Sequence, residues 1–242
     1  MSGKKLPDIN YLKSKLVQAM TQLASVTPEQ AYNMRKSNTD RWICSMLSIS
    51  GSELPHNSAL TLISGENVPD ATIEDCRLAE AFRQMRVEFD NLCDLQTITD
   101  INVIRRFHSI IAGTDTPADF RKGNPRIKEM DFSPPHSSEV PELMRSLEID
   151  MASYRLSADA VSAAAHIHDM IMSIRPFDEF SEATAYAVMS YELLLSGYPL
   201  PTLQITAYEH LRLAAEFVHA GTSDGLTSML LINFLNECRV PK

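Results

Sequence analysis

The sequence predicts a mainly α-helical fold gathered around one buried helix, and three observations predict it. From Ala183 to Leu195 only Thr184, Ser190 and Glu192 interrupt an apolar or aromatic run, and a helix apolar nearly all round is covered on all sides. Several other segments repeat apolar residues at the three- and four-residue spacing of a helix with one buried face. One stretch alone, residues 119–135, combines turn residues with alternation and reads as β-structure.

Composition bounds the rest. The chain has 242 residues, 44% of them hydrophobic, enough to bury a sizeable core. A net charge of −9 and a pI near 5.2 argue against nucleic acid and anionic membrane surfaces as partners. The opening residues, MSGKKLPDINYLKSKL, hold no apolar leader core, and no later window approaches the apolar length of a membrane span. A cytoplasmic location is expected. Cys44, Cys76, Cys93 and Cys238 have no paired metal-ligand spacing and read as reduced thiols.

In chain order, Asp8 to Ala24 places Leu12, Leu16, Met20 and Leu23 at helical spacing, with Asp8 as cap. A second helix starts at Thr27-Pro28-Glu29, a favourable entry, and runs to Ile49 with an interruption around Ser37-Asn38. Thr72 to Asp94 and Asp100 to Ala112 are two more, and Gly123-Asn124-Pro125 supplies the turn of the hairpin. Glu139 to Ser153 is helical. Leu156 to Ile174 carries Val161, Ala164, Ala165, His168, Ile171 and Met172 on one stripe that should face the buried helix. His108 reads as a packing histidine and His168 as a buried, satisfied one. His166 and His168, two apart, point to different sides and cannot share a metal.

The buried helix has Ser181 as its N-cap and stops at Gly197 before Pro199. Gln204 to Ala220 and Thr222 to Cys238 close the chain, joined at Gly221. We divide the chain into an N-terminal helical region, 1–95, and a core, 96–242. It shows no repeat, low-complexity tract or long linker.

The turn and helix IRPFDEFSEATAYAVMSYELLLSGYPLP resemble the signature of the Fic (Fido) family, HxFx[DE]GNGRxxR, in a register fixed by Pro176, Phe177 and LLLSGYPLP. That resemblance implies a Fic-like helical bundle around the central helix, with one short β-hairpin flap. It also implies an enzyme that transfers AMP, or another phosphate-containing group, to protein hydroxyls. Of the eight specified positions only Phe177 and Glu179 are kept. Arg175 stands where the family has its general base, and a guanidinium has no acceptor with which to take a proton. The family's phosphate loop reads Phe180, Ser181, Glu182, with side chains at both glycine positions, and Ala183 and Tyr186 replace the phosphate-binding arginines. Asp178, Glu179 and Glu182 bring three carboxylates to the helix start, where they suit the dipole and repel an anion.

SMLSISGSELPHNSALTLISG resembles the family's regulatory helix, [ST]xxxE[GN], whose glutamate pairs with the second motif arginine. One register puts Met46 at the serine position and Ser50 at the glutamate position. The other uses Glu66-Asn67 and leaves Leu62 at the serine position. We prefer Ser50. DFRKGNPRIKEMDFSPP resembles the flap that holds a target segment by strand addition, with Arg126, Ile127, Lys128, Glu129 and Met130 as its contact residues. An ordinary solvated hairpin is the alternative for the same residues.

The resulting expectation is a degenerate Fic-domain protein without AMP transfer and without cofactor, acting on an unidentified protein partner, with the flap as one contact surface. The alternative is a divergent Fic enzyme that uses ATP and Mg²⁺, with Glu179 as metal ligand. For Glu179 the plainer role is an ion pair with Arg175 or a solvated turn.

Overall fold

The computed structural model describes residues 8–23, 26–125 and 132–238, which form ten helices and no strand. They are α1 (Ile9–Leu23), α2 (Pro28–Ile49), α3 (His56–Ile63), α4 (Ile73–Asp94), α5 (Ile101–Ala112), α6 (Val140–Ser157), α7 (Ala160–Ile174), α8 (Ser181–Leu195), α9 (Ala207–Ala220) and α10 (Asp224–Glu237). No helix among these residues is long and apolar enough to cross a membrane.

Local chemistry sets most of the starts. Thr27, Thr72 and Thr206 each close a capping box, with Gln30, Asp75 and Glu209 returning the hydrogen bond to the cap backbone. Asp100 and Asp159 accept from the N–H groups of Val103 and Ser162. The Asp159 cap also explains why α6 runs on to Ser157 and α7 begins at Ala160.

The apolar helix is central, as its composition requires. From Ser181 to Leu193 every residue of α8 except Glu182 is buried. α7 packs along it most extensively, while α5, α2 and α4 cover other faces. Trp42, Phe82, Phe89, Phe107 and Tyr191 form one aromatic cluster, with ring centroids from 5.1 Å (Phe89–Phe107) to 6.4 Å (Trp42–Phe82) apart. The polar interruptions of α8 are all partnered inside it. Trp42 Nε1 donates to Ser190 Oγ at 2.9 Å, Ser190 Oγ donates to the Tyr186 carbonyl at 2.7 Å, and Thr184 Oγ1 donates to the Phe180 carbonyl at 2.8 Å. Glu192 accepts from Arg155 and from Thr99 Oγ1. At the chain's opposite end α1 lies on α10 through buried Leu12 and Leu16.

Three expectations are corrected, and a fourth, the hairpin, lies partly outside the described residues. α2 is unbroken at Ser37-Asn38. Asn38 is buried and mimics backbone, its Nδ2 donating to the Leu200 carbonyl at 2.9 Å and its Oδ1 accepting from the Leu200 N–H at 3.1 Å. The polar pair is a docking point for the segment after α8, and for that reason it looked like a break in the sequence. The hairpin is not seen: 119–125 and 132–135 contain no strand, while Arg126, Ile127, Lys128, Glu129 and Met130 lie outside the described residues. Ser181 is the first residue of α8 and caps nothing. The N-cap is Phe180, and the Ser181 hydroxyl reaches back to accept from the Phe177 N–H (3.1 Å) and donate to the Phe177 carbonyl (3.0 Å). Finally, α3 was not foreseen, because SELPHNSALTLISG reads as the tail of a longer regulatory segment.

Candidate functional site: the turn before the central helix

The turn from Arg175 to Phe180 links α7 to α8, and both ends of it have left-handed backbone. Arg175 sits at φ 48° as the C-cap of α7, and Phe180 at φ 55° as the N-cap of α8. A side chain at such a φ costs about 1–2 kcal/mol relative to glycine. The turn is held from behind by Arg121, which is 3% exposed and hydrogen-bonds almost only to carbonyls. Its backbone N–H donates to the Pro176 carbonyl at 2.8 Å and its Nε to the Arg175 carbonyl at 2.7 Å. Nη2 donates to Pro135 (2.6 Å) and Ile174 (3.3 Å), and Nη1 to Gly123 (2.8 Å). Burial draws the Arg121 pKa below its ordinary value. One side chain thereby ties the residues before α6 to the turn. Nothing in the spacing of DFRKGN marked it out.

Inside the turn, Phe177 is buried and its ring stacks on His108 of α5, centroids 3.9 Å apart and planes 27° apart. His108 Nε2 donates to the Glu179 carbonyl at 3.1 Å, which fixes the tautomer, while Nδ1 is buried without a partner. Burial lowers the His108 pKa and keeps the ring neutral. The packing role expected of this histidine is the one it has. Phe180 places its ring under the Arg77 guanidinium, 5.8 Å from the centroid.

The decisive contact lies across the helix start. Arg175 Nη1 is 2.5 Å from Glu182 Oε1, the two side chains being only 8% and 16% exposed. Arg175 Nε is buried and unpartnered. Arg175 therefore pairs with Glu182, so that of the two plainer roles for Glu179 the ion pair with Arg175 is absent and the solvated turn is the one seen. Asp178 and Glu179 face solvent. Among the described residues no group of three or more His, Cys, Asp or Glu side chains could hold a metal ion.

Comparison with known proteins identifies the scaffold. Residues 98–193, from just before α5 into α8, match the model of the Fic/DOC family. The chain carries a Fic/DOC-family domain. A Fic domain-containing signaling protein of Bacteroides thetaiotaomicron aligns over 95% of this chain and 94% of its own, at 18% identity and a TM-score of 0.75. A Fic family protein of Desulfovibrio desulfuricans aligns over 98% and 74%, at 16% identity and the same TM-score, and Fic-1 of C. elegans over 95% and 70%, at 14% identity and 0.73. At these identities the likeness is one of fold. No curated protein matches the chain in sequence.

The two positions that the resemblance sets against the family's arginines are apolar or sealed. Ala183 is fully buried, and so is Tyr186, whose hydroxyl donates to the Pro201 carbonyl (2.8 Å) and accepts from the Leu203 N–H (3.1 Å). Burial pushes the Tyr186 pKa far above its ordinary value, so the phenol stays neutral. The α2 residue that reaches Tyr186 is Ser45. Ser50, in the preferred register, is the C-cap of α2 with its Oγ buried and unpartnered. Glu66, in the other register, is exposed and accepts from Ser64 Oγ at 3.2 Å. Sequence reasoning missed Ser45 as well as Arg121, since a serine within a buried helix face carries no signal of its own.

Proposed function

We propose that this Fic/DOC domain no longer transfers AMP and works through contacts with a protein partner. The observation that carries the proposal is the Arg175–Glu182 pair. It stands where the resembling signature has a general base and a phosphate-loop glycine. A guanidinium remains protonated and offers no lone pair, so it cannot accept a proton from a target hydroxyl. A phosphate approaching the N-terminus of α8 would meet the Glu182 carboxylate, already held by the one nearby cation of the motif, and the Phe180 and Glu182 side chains where a bare backbone would be needed. ATP and Mg²⁺ therefore do not fit the residues present. The acidic chain also favours a protein over nucleic acid or membrane. Residues 119–135 are the surface we assign to that partner, and charge reversal at Lys128 should weaken its capture.

Incubation of the purified chain with labelled ATP, Mg²⁺ or Mn²⁺ and cell lysate should give no labelled band. A band lost on Glu179→Ala or Arg175→Ala would overturn the proposal. It would also support the second reading, an enzyme of altered chemistry. One observation favours that reading: Glu179 is exposed and makes no ion pair among the described residues, and a single carboxylate can hold Mg²⁺ together with substrate phosphates.

A further inference from the structure

α9 is joined to α7 by a chain of three buried titratable groups outside the turn. His168 Nδ1 lies 2.9 Å from Asp169 Oδ1, and His168 Nε2 lies 3.1 Å from His210 Nδ1. Both imidazoles are 0% exposed and Asp169 is 1% exposed. His210 Nε2 is buried with no partner. His210 belongs to the first turn of α9, its N–H donating to the Thr206 carbonyl at 3.1 Å. Its ring meets Tyr186 edge-on at 5.4 Å, and the Tyr186 hydroxyl fixes Pro201 and Leu203. The histidine contact thus ties the start of α9 to α7, while Leu200 to Leu203 are held independently by Asn38, Tyr186, Asn233 and Glu237.

Proton counting limits what the network tolerates. An ionised Asp169 accepts, so His168 Nδ1 carries hydrogen, and the single proton between the rings lies on His210 Nδ1 with His168 Nε2 as acceptor. One added proton can be housed without losing a bond. The pair still has one N–H between its rings, donated by one imidazole and accepted by the other. A second proton cannot be housed, because two N–H groups would face each other at 3.1 Å, each on a charged ring.

No other charge relieves that repulsion. α7 offers Asp169 alone at this contact, and its His166 stacks on Tyr154 of α6, whose Asp150 faces that ring and whose Arg155 is held by Glu192. α8 presents the neutral Tyr186, and α2 presents Ser45 and the un-ionised Cys44 thiol, with Arg41 turned to Glu237 of α10. On α9 itself Glu209 closes the Thr206 cap and Arg212 pairs with Glu216. Lys13 of α1 is engaged by Asp159.

We propose that the His168–His210 contact is a proton-released latch, which holds the first turn of α9 against α7 until a second proton forces it open. Burial holds His210 well below its ordinary pKa, and the released imidazole returns to about 6.5. For a histidine depressed in the closed state, the latch is at full strength above that pH and weakens as pH falls. The opening constant rises about tenfold per pH unit below about 6.

Hydrogen exchange between about pH 7.5 and 5, corrected for intrinsic rates, tests the latch. Amides of 207–213 should lose about tenfold protection per pH unit below about 6 relative to α8, and His210→Gln should flatten that slope. Equal pH dependence in α8 and α9, or an unchanged slope in the variant, would overturn the proposal. Should His210→Gln fail to fold, imidazole NMR of the natural chain decides. At most one ring of the pair should be charged while α9 stays protected, and two charged rings in a protected α9 would refute the latch.

Discussion

The two ends of α8 each carry a buried arginine–glutamate pair, and they differ in how completely it is satisfied. At the C-terminal end Glu192 receives Arg155 Nε at 3.0 Å, Arg155 Nη2 at 2.5 Å and the Thr99 hydroxyl, and the same Nη2 donates to the Thr99 carbonyl at 3.1 Å. At the N-terminal end Arg175 makes one contact to Glu182 and leaves Nε orphaned, and both Arg175 itself and Phe180 have left-handed backbone. A well-packed protein seldom leaves a buried donor without an acceptor. Local rules are broken where a structure has been shaped for chemistry, or where residues have changed around a backbone that chemistry once shaped. Phe180 breaks such a rule by bearing a large side chain at φ 55°. The N-terminal end is incompletely satisfied, the C-terminal end a closed structural joint.

That contrast can be broken by mutation. The largest effect should come from Glu192→Ala, which leaves the buried Thr99 hydroxyl without its acceptor and the partly buried Arg155 with the Thr99 carbonyl alone. We expect a loss of about 3–5 kcal/mol in urea unfolding, and a loss under about 1 kcal/mol would deny the joint its structural role. At the other end, the double substitution Arg175→Met with Glu182→Leu should change stability by no more than about 1 kcal/mol. An ill-satisfied buried pair exchanges for apolar packing at little cost. If it cost as much as Glu192→Ala, the two ends would be equivalent and the comparison would fail. Smallest of all should be Phe180→Gly, where relief of about 1–2 kcal/mol of backbone strain is offset by the lost ring contact with Arg77. Its midpoint in thermal unfolding should be unchanged or slightly raised, and a marked fall would show that the ring is essential to the turn.

Much of the fold was legible in the residues. The run from Ala183 to Leu195 required a covered helix, and the threonine caps at 27, 72 and 206 mark starts by a mechanism that depends on neighbours three residues away. Asn38 misled because its side chain is satisfied by Leu200, 162 residues later in the chain, and no local pattern encodes such a partner. Ser181 misled for a related reason: its hydroxyl serves the turn behind it and not the helix ahead. In the turn, the lack of an acceptor on the Arg175 side chain and the side chains at 180 and 182 could be read directly, since side-chain chemistry travels with residue type. The pairing of Arg175 with Glu182, the Arg121 brace and the reach of Ser45 to Tyr186 could not, because each depends on how separate helices converge.

The most direct test of the closed turn is a calorimetric titration of Mg²⁺–ATP into the intact protein. With Glu182 holding Arg175 across the start of α8, the heats should be those of dilution at nucleotide concentrations up to the millimolar range. A saturable isotherm with micromolar affinity that disappears on Glu179→Ala would contradict the account.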